Sequence, residues 1–216
     1  NLGPNYSTCT GTSMATPHIA GLVALLREYY KTKMNIATPS SALIKATLIN
    51  SAADMGFGLP SNATGWGRVN ISMALPSPNN KLFVQDVSPG LSTGQSKSCV
   101  ISVAAGRPFK ATLVWSDREA AILAPITLVN DLNLVVKDPQ SNLYNGNDFN
   151  APYNNEVDFR NNVEQVIIPN PTTGKYSITV NAINVPSPGQ PFALVVSYKK
   201  PGQGGGISVR STLCTF

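Results

Sequence analysis

Histidine is close to absent from this chain, which has one, His18, among 216 residues. The general base of a neutral-pH enzyme is most often a histidine, so little acid–base machinery can reside here. Cysteine is scarce as well: Cys9, Cys99 and Cys214 make an odd count, as expected of a chain whose partner thiol lies outside it. Cys9 reads equally as a buried thiol or as half of a disulfide. With no histidine partner it is not a candidate nucleophile. Charged residues form only 12% of the chain, with a formal net charge of +5. Lys31 with Lys33 and Lys199 with Lys200 are the close basic pairs. A nucleic-acid site needs a dense basic stripe with aromatics interleaved, so nucleic acid is not an expected partner and the cations read as solvated surface. No run of about 18 apolar residues would cross a bilayer as a helix. No leader-like segment opens the chain, and no internal repeat is visible.

What the chain does have is concentrated in Gly11-Thr12-Ser13-Met14-Ala15-Thr16-Pro17-His18-Ile19-Ala20-Gly21. Gly11 carries no side chain, so another backbone can approach closely. Thr12 and Ser13 are good helix openers, and Ala15 and Thr16 keep the first turn uncluttered. From His18 to Leu26 the run is apolar nearly all round, which predicts a helix inside a domain. A serine at the N-terminus of such a helix has free backbone N–H groups around it and the positive end of the helix dipole beneath it. Both stabilise an oxyanion developing beside Ser13. Pro17 cannot donate to the Ser13 carbonyl, so the helical ladder is interrupted at the serine.

This segment resembles, nearly letter for letter, the serine-bearing motif of the subtilisin-like serine proteases. Thr38-Pro39-Ser40-Ser41-Ala42-Leu43-Ile44-Lys45-Ala46-Thr47-Leu48 resembles the family's next helix. Gly65-Trp66-Gly67-Arg68-Val69-Asn70 resembles its closing turn, leading into a last short helix. The resemblance implies endopeptidase chemistry on polypeptide substrates, with no cofactor for catalysis. It makes Ser13 the nucleophile, and the Ser13 N–H with the Thr12 hydroxyl the oxyanion donors. Residues 1–76 are then the C-terminal part of a subtilisin-like catalytic domain.

Three parts of that machinery have no counterpart here. A triad needs a histidine oriented by a carboxylate. His18 follows Ser13 by five residues, about 140° around a helix, and so faces away from it. In the family the matching histidine is structural. The motifs for the catalytic histidine, its aspartate and the oxyanion asparagine precede the serine and are not found. The chain is therefore expected to be a C-terminal piece, inactive alone, whose partner is the missing N-terminal part of the same domain. Packing points the same way. The 19–26 helix and the amphipathic 42–52 segment want a sheet, and the first 80 residues hold no convincing strands. A parallel sheet in the missing part is expected to cover them.

Composition changes at Pro76-Ser77-Pro78-Asn79-Asn80, a cluster of turn formers. Short alternating runs follow at 81–87, 99–104, 109–115, 132–136, 163–168, 176–180 and 192–198, with Asn170–Gly174 as a turn between two of them. The spacing predicts an antiparallel sandwich over 81–199, and roughly 120 residues suffice for a core. Leu113–Asp117, Leu128–Leu134, Gly146–Phe149 and Arg160–Glu164 resemble the C-terminal jelly-roll-like β domain of one subtilisin-like branch. The expected fold class is the C-terminal helical part of an α/β domain followed by an all-β, jelly-roll-like sandwich. Residues 200–216 form a Gly-rich linker and a tail that is either a terminal strand or the start of another domain.

The same segments hold Asp117, Asn130, Asp131, Asn133, Asp148, Asp158, Asn162 and Glu164. Such oxygens suit a hard cation, and a structural Ca²⁺ held by Asp117, Asp131, Asn133, Asp148 and Glu164 is one expectation. The other is that these residues close β-turns through local hydrogen bonds. No EF-hand spacing decides between them. Sequons at Asn5, Asn62 and Asn70 suit a glycosylated protein that is secreted or lumenal. The function that follows is serine endopeptidase chemistry at Ser13. The alternative is a non-catalytic β-sandwich that binds or stabilises, attached to an inert protease remnant.

Overall fold

The computed structural model describes residues 8–187 and 189–202, together with the backbone of a strand at Thr212–Thr215. By packing, the chain divides into Asn1–Pro39 and Ser40–Phe216. Among its described residues the first unit holds one helix, α1 (Thr12–Lys33). Gly11 is its N-cap, no side chain caps that end, and Lys31 and Lys33 lie in the last turn, where cations complement the helix dipole. Met34 N–H closes the C-terminal end on the Tyr30 carbonyl at 3.2 Å. Only Leu26 and Tyr30 are buried along α1, while Met14 and Leu25 are exposed.

The second unit begins with α2 (Ser41–Ser51). The Ser40 hydroxyl caps it by accepting from the Leu43 N–H at 3.0 Å. Among the described residues nine strands follow: β1 (Lys81–Leu91), β2 (Ser96–Val103), β3 (Phe109–Val114), β4 (Asp131–Lys137), β5 (Leu143–Asn145), β6 (Val163–Ile168), β7 (Gly174–Asn184), β8 (Gln190–Tyr198) and β9 (Thr212–Thr215). They form a four-stranded sheet ordered β1-β8-β3-β6 and a five-stranded sheet ordered β5-β4-β7-β2-β9. Among the described residues every strand pairing is antiparallel.

Period-two alternation decides what each sheet buries. Phe109, Ala111, Leu113, Phe192, Leu194 and Val196 of one sheet share a core with Ile101, Leu132, Leu134, Tyr176, Ile178 and Val180 of the other. Phe109 and Tyr176 stack across the two sheets with ring centroids 5.2 Å apart. Trp115, 1% exposed, satisfies its indole N–H on the Asn130 carbonyl at 2.8 Å. β8 is buried on both faces: Ala193 and Val195 lie opposite the shared core, where α2 packs on β8 and β3. The unit thus has three layers, helix on sheet on sheet.

Several expectations change. The sheet that covers α2 was expected in a missing parallel sheet; it is the antiparallel β1-β8-β3-β6 sheet of this chain. Packing therefore divides at Pro39, although turn chemistry marks a linker at Pro76–Asn80. The short helix expected after Gly65–Asn70 is a series of turns, held by Met73 and Ala74 N–H groups on the Asn70 carbonyl. The closing turn itself is present. Ala53 and Arg68 exchange backbone bonds at 2.9 Å, and Gly67 (φ +98°) sits where a Cβ would strike the Ala53 carbonyl. Asn170–Gly174 carries the chain from β6 in one sheet to β7 in the other. β5 and β9 are additional strands, β9 lying in the tail and pairing with β2.

Candidate functional site

Ser13 is the second residue of α1 and is exposed, as are Thr12 and Met14. The Met14 and Ala15 N–H groups both donate to the Gly11 carbonyl, at 3.1 and 3.2 Å. A helix leaves the earlier N–H groups of its first turn without intrahelical acceptors, and no side chain caps them here. The first turn carries no acidic residue, so the positive end of the dipole is uncompensated beside the serine. The Thr16 hydroxyl donates to the Thr12 carbonyl at 2.9 Å. His18 Nδ1 lies 2.6 Å from the Met14 carbonyl oxygen, which can only accept, so Nδ1 carries the proton. The imidazole is thus tied to its own helix one turn back. Cys9, four residues before Ser13, is exposed, which answers the expectation of a buried thiol.

Asp117, Asp148, Asp158 and Glu164, among the acidic residues considered for a cation, accept hydrogen bonds from nearby groups. Asp117 accepts from the Val129 and Asn130 N–H groups at 2.7 and 2.9 Å. Asp148 accepts from Asn150, Asn155 and Glu156. Asp158 closes its own turn on Arg160 and Asn161. Glu164, 1% exposed, takes the Leu134 N–H on Oε2 at 2.6 Å. Gly146 packs so closely on it that a Cβ would overlap Oε2. The Asn133 amide, turned to suit its neighbours, donates to Glu164 Oε1 at 3.2 Å and to the Asp158 carbonyl at 3.3 Å. Burial pushes the Glu164 carboxyl well above its usual value; Asp158 and Asp131 add to the rise, and the Leu134 N–H opposes it. Asp131 is raised by burial first and by Asp158 second.

Of the five expected ligands, only Asn133 and Glu164 line one small cavity, of about 60 Å³, alongside Asp158. Among the described residues no three Asp, Glu, His or Cys side chains gather as a metal would need. Backbone N–H groups occupy both oxygens of Asp117 and of Asp148 and one oxygen of Glu164. Asn5 lies outside the described residues. Asn62 is exposed in a turn, and Asn70, half-buried, accepts from the Ser72 hydroxyl at 2.7 Å.

The polar residue that sequence reading passed over is Asn50, in the last turn of α2. Its Nδ2 faces three acceptors on the sheet: Thr112 Oγ1 at 3.1 Å, the Val195 carbonyl at 3.1 Å and the Lys110 carbonyl at 3.2 Å. Lys110 Nζ returns a bond to the Ala52 carbonyl at 2.8 Å. At the other end of α2, Asp86 of β1 accepts from the Ser40 N–H and hydroxyl at 2.9 and 2.6 Å. An asparagine amid alanines and leucines was the available signal, since a buried amide must find partners.

Residues 1–67 match the family model described as "Subtilase family" (Peptidase_S8). The serine protease/ABC transporter B family protein tagA of Dictyostelium discoideum is 28% identical over 208 residues, covering 86% of this chain and 12% of that protein. An extracellular serine protease of Serratia marcescens is 37% identical over 87 residues, covering 40% of this chain and 8% of its own length. The chain therefore spans a small part of the relatives it matches. A crystal structure of the serine protease of Aeromonas sobria aligns over 89% of this chain and 45% of its own, at 15% identity and a TM-score of 0.28, too low to argue a shared fold. The uncapped serine turn of α1 lies inside the span, residues 1–67, over which this chain is similar to the subtilase family.

Proposed function

We propose that the chain is the serine-bearing part of a secreted serine endopeptidase, with Ser13 attacking the scissile carbonyl to form an acyl-enzyme. The observation that carries this is an exposed serine in an uncapped first helical turn. There the Ser13 N–H and Thr12 hydroxyl are available to an oxyanion. His18 follows Ser13 by five residues, about 140° around the helix, and its Nδ1 is held on the Met14 carbonyl one turn back, so we read the base and its carboxylate as supplied by other sequence. Polypeptides are the substrate class. The chain by itself turns over nothing, because an unassisted serine hydroxyl is a weak nucleophile.

The sandwich we read as jelly-roll-like, since β1-β8-β3-β6 facing β5-β4-β7-β2 joins its strands by repeated crossings between sheets. Its packing supports a stabilising role. α2 lies within the residues matched to the subtilase family and is seated on the sandwich by Asn50, Lys110 and Asp86. The extracellular relative supports secretion, and the exposed Asn62 suits glycosylation.

A full-length protein carrying this segment should be labelled covalently by a fluorophosphonate. Ser13→Ala should abolish the label and cut kcat by about 10⁶, the size known for nucleophile removal in subtilisin. The isolated 216-residue chain should be neither labelled nor active. Turnover by the isolated chain, or labelling that survives Ser13→Ala, would overturn the assignment.

A further inference from the structure

We propose that the second unit carries a carbohydrate site, a pocket of about 520 Å³ between the turn at 60–66 and the loop at 146–161, which takes a neutral oligosaccharide. Pockets that hold small ligands run to about 300–1,000 Å³, so a few sugar rings fit the space. Trp66, Phe149 and Phe159 line it, Phe159 with 52% of its surface exposed. A pyranose ring offers a face of C–H groups to such aromatic surfaces and a rim of hydroxyls to the polar groups between them.

Those polar groups are held in place before any ligand arrives. Asp158 takes the Arg160 and Asn161 N–H groups on Oδ1, at 2.8 and 3.1 Å, and the Asn147 and Asn161 amides on Oδ2, at 2.6 and 2.7 Å. The Asn147 amide also donates to the Val163 carbonyl at 2.7 Å, and its oxygen accepts the Gln165 N–H at 3.0 Å. A loop fixed in this way has little ordering cost left to meet on binding. The Arg160 guanidinium lies over the Phe159 ring, 5.2 Å from its centroid. Among the described residues no hydrogen bond or ion pair engages that guanidinium, the Glu156 carboxylate or the Trp66 indole N–H.

Charge selects the ligand class. With Asp158 saturated, one free cation, Arg160, and one free anion, Glu156, remain in the lining. A ligand of either sign meets repulsion from one of them, and a purely apolar ligand would strip water from both without replacing it. A hydroxyl accepts from a guanidinium or an indole N–H and donates to a carboxylate, so a polyhydroxylated ligand without charge satisfies the whole set. The lining belongs entirely to Ser40–Phe216, so this reading stands apart from the chemistry assigned to Ser13.

Trp66 reports on the site, because the other of the two tryptophans, Trp115, is 1% exposed in the core. The 216-residue chain, which needs no turnover for this test, is titrated with maltotriose, cellotriose, mannotriose and triacetylchitotriose. Tryptophan emission and saturation-transfer NMR of the sugar are followed together. At least one trisaccharide should shift the emission saturably. Phe159→Ala and Arg160→Gln should each raise its Kd about tenfold, at an unchanged melting temperature because both side chains are exposed. Trp66→Phe should silence the emission change while the sugar's NMR signal persists. Ribonuclease B, which carries a mannose-rich glycan, set against glycan-free ribonuclease A separates a protein-borne glycan from a free one as the source. No saturable response to any of the four sugars or to ribonuclease B would overturn the proposal. So would sugar binding of wild-type strength in a folded Phe159→Ala, Arg160→Gln double variant.

Discussion

Glu164 concentrates the tension between burial and charge. It sits inside the sandwich on β6, holds the Leu134 N–H, and lies close enough to Asp131 and Asp158 to feel both. Its folded carboxyl binds a proton more tightly than the unfolded one, so stability is greatest below the ordinary glutamate value, near 4.5. That contribution drains away as pH rises through the raised folded value. Glu164→Gln keeps an acceptor for the Leu134 N–H and has no charge to bury. Its urea midpoint relative to wild type should therefore climb from about pH 4.5 upward and level off above the folded value. Parallel curves for the two proteins across pH 4.5 to 8 would show that Glu164 titrates as if exposed.

At the scale of an element, α2 is held less by helix propensity than by what its inner face meets. Leu43, Ile44, Ala46 and Ile49 are buried, and the amide of Asn50 spans acceptors on both β3 and β8. Asn50→Ala leaves those partners in a site closed to water. The Thr112 hydroxyl keeps Gln165 at 2.9 Å, which limits the damage. Unfolding free energy from urea titration should fall by about 1–3 kcal/mol, the cost of orphaned buried polar groups. An unchanged midpoint would mean that apolar packing alone seats the helix.

For the whole molecule, the packing boundary at Pro39 matters more than the sequence boundary near residue 76. A polypeptide of residues 40–216 should unfold cooperatively. One starting at residue 81 should not, since it strips α2 from β3 and β8 and exposes Ala193, Val195 and Thr112. Losing Leu43, Ile44 and Ile49 from the interface forfeits about 1.5–3 kcal/mol for each fully buried side chain. Raised dye binding and aggregation of the 81–216 polypeptide, against a sharp melt for 40–216, is the expected contrast; equal melting would make α2 dispensable. Calcium gives a second test on the same material. Asp117, Asp148 and Asp158 already serve backbone N–H groups, so melting in millimolar Ca²⁺ and in EDTA should coincide. Stabilisation by about 2.7 kcal/mol at a hundredfold excess over Kd would reinstate the cation reading.

Much of this was legible in residue order. The serine motif of 11–21, the closing turn with Gly67, and seven strands could be read because each is fixed by local rules: turn chemistry, a glycine at positive φ, an alternation of two. β5 was not legible, since three residues carry no period, and β9 stood as one of two open readings of the tail. The roles of Asp117, Asp148 and Glu164 were open as well, because a carboxylate that caps a turn and one that binds an ion look alike in sequence. What the fold adds is N–H groups within reach of their oxygens. Sequence likewise established that α2 needed a sheet to cover it, because its apolar residues outnumber what a lone helix can hide. Which sheet it found was decided by tertiary structure, since burial depends on shape and partner groups brought together from distant parts of the chain. The Asn50 amide meets residues 60 to 145 positions away, a separation that no local pattern encodes.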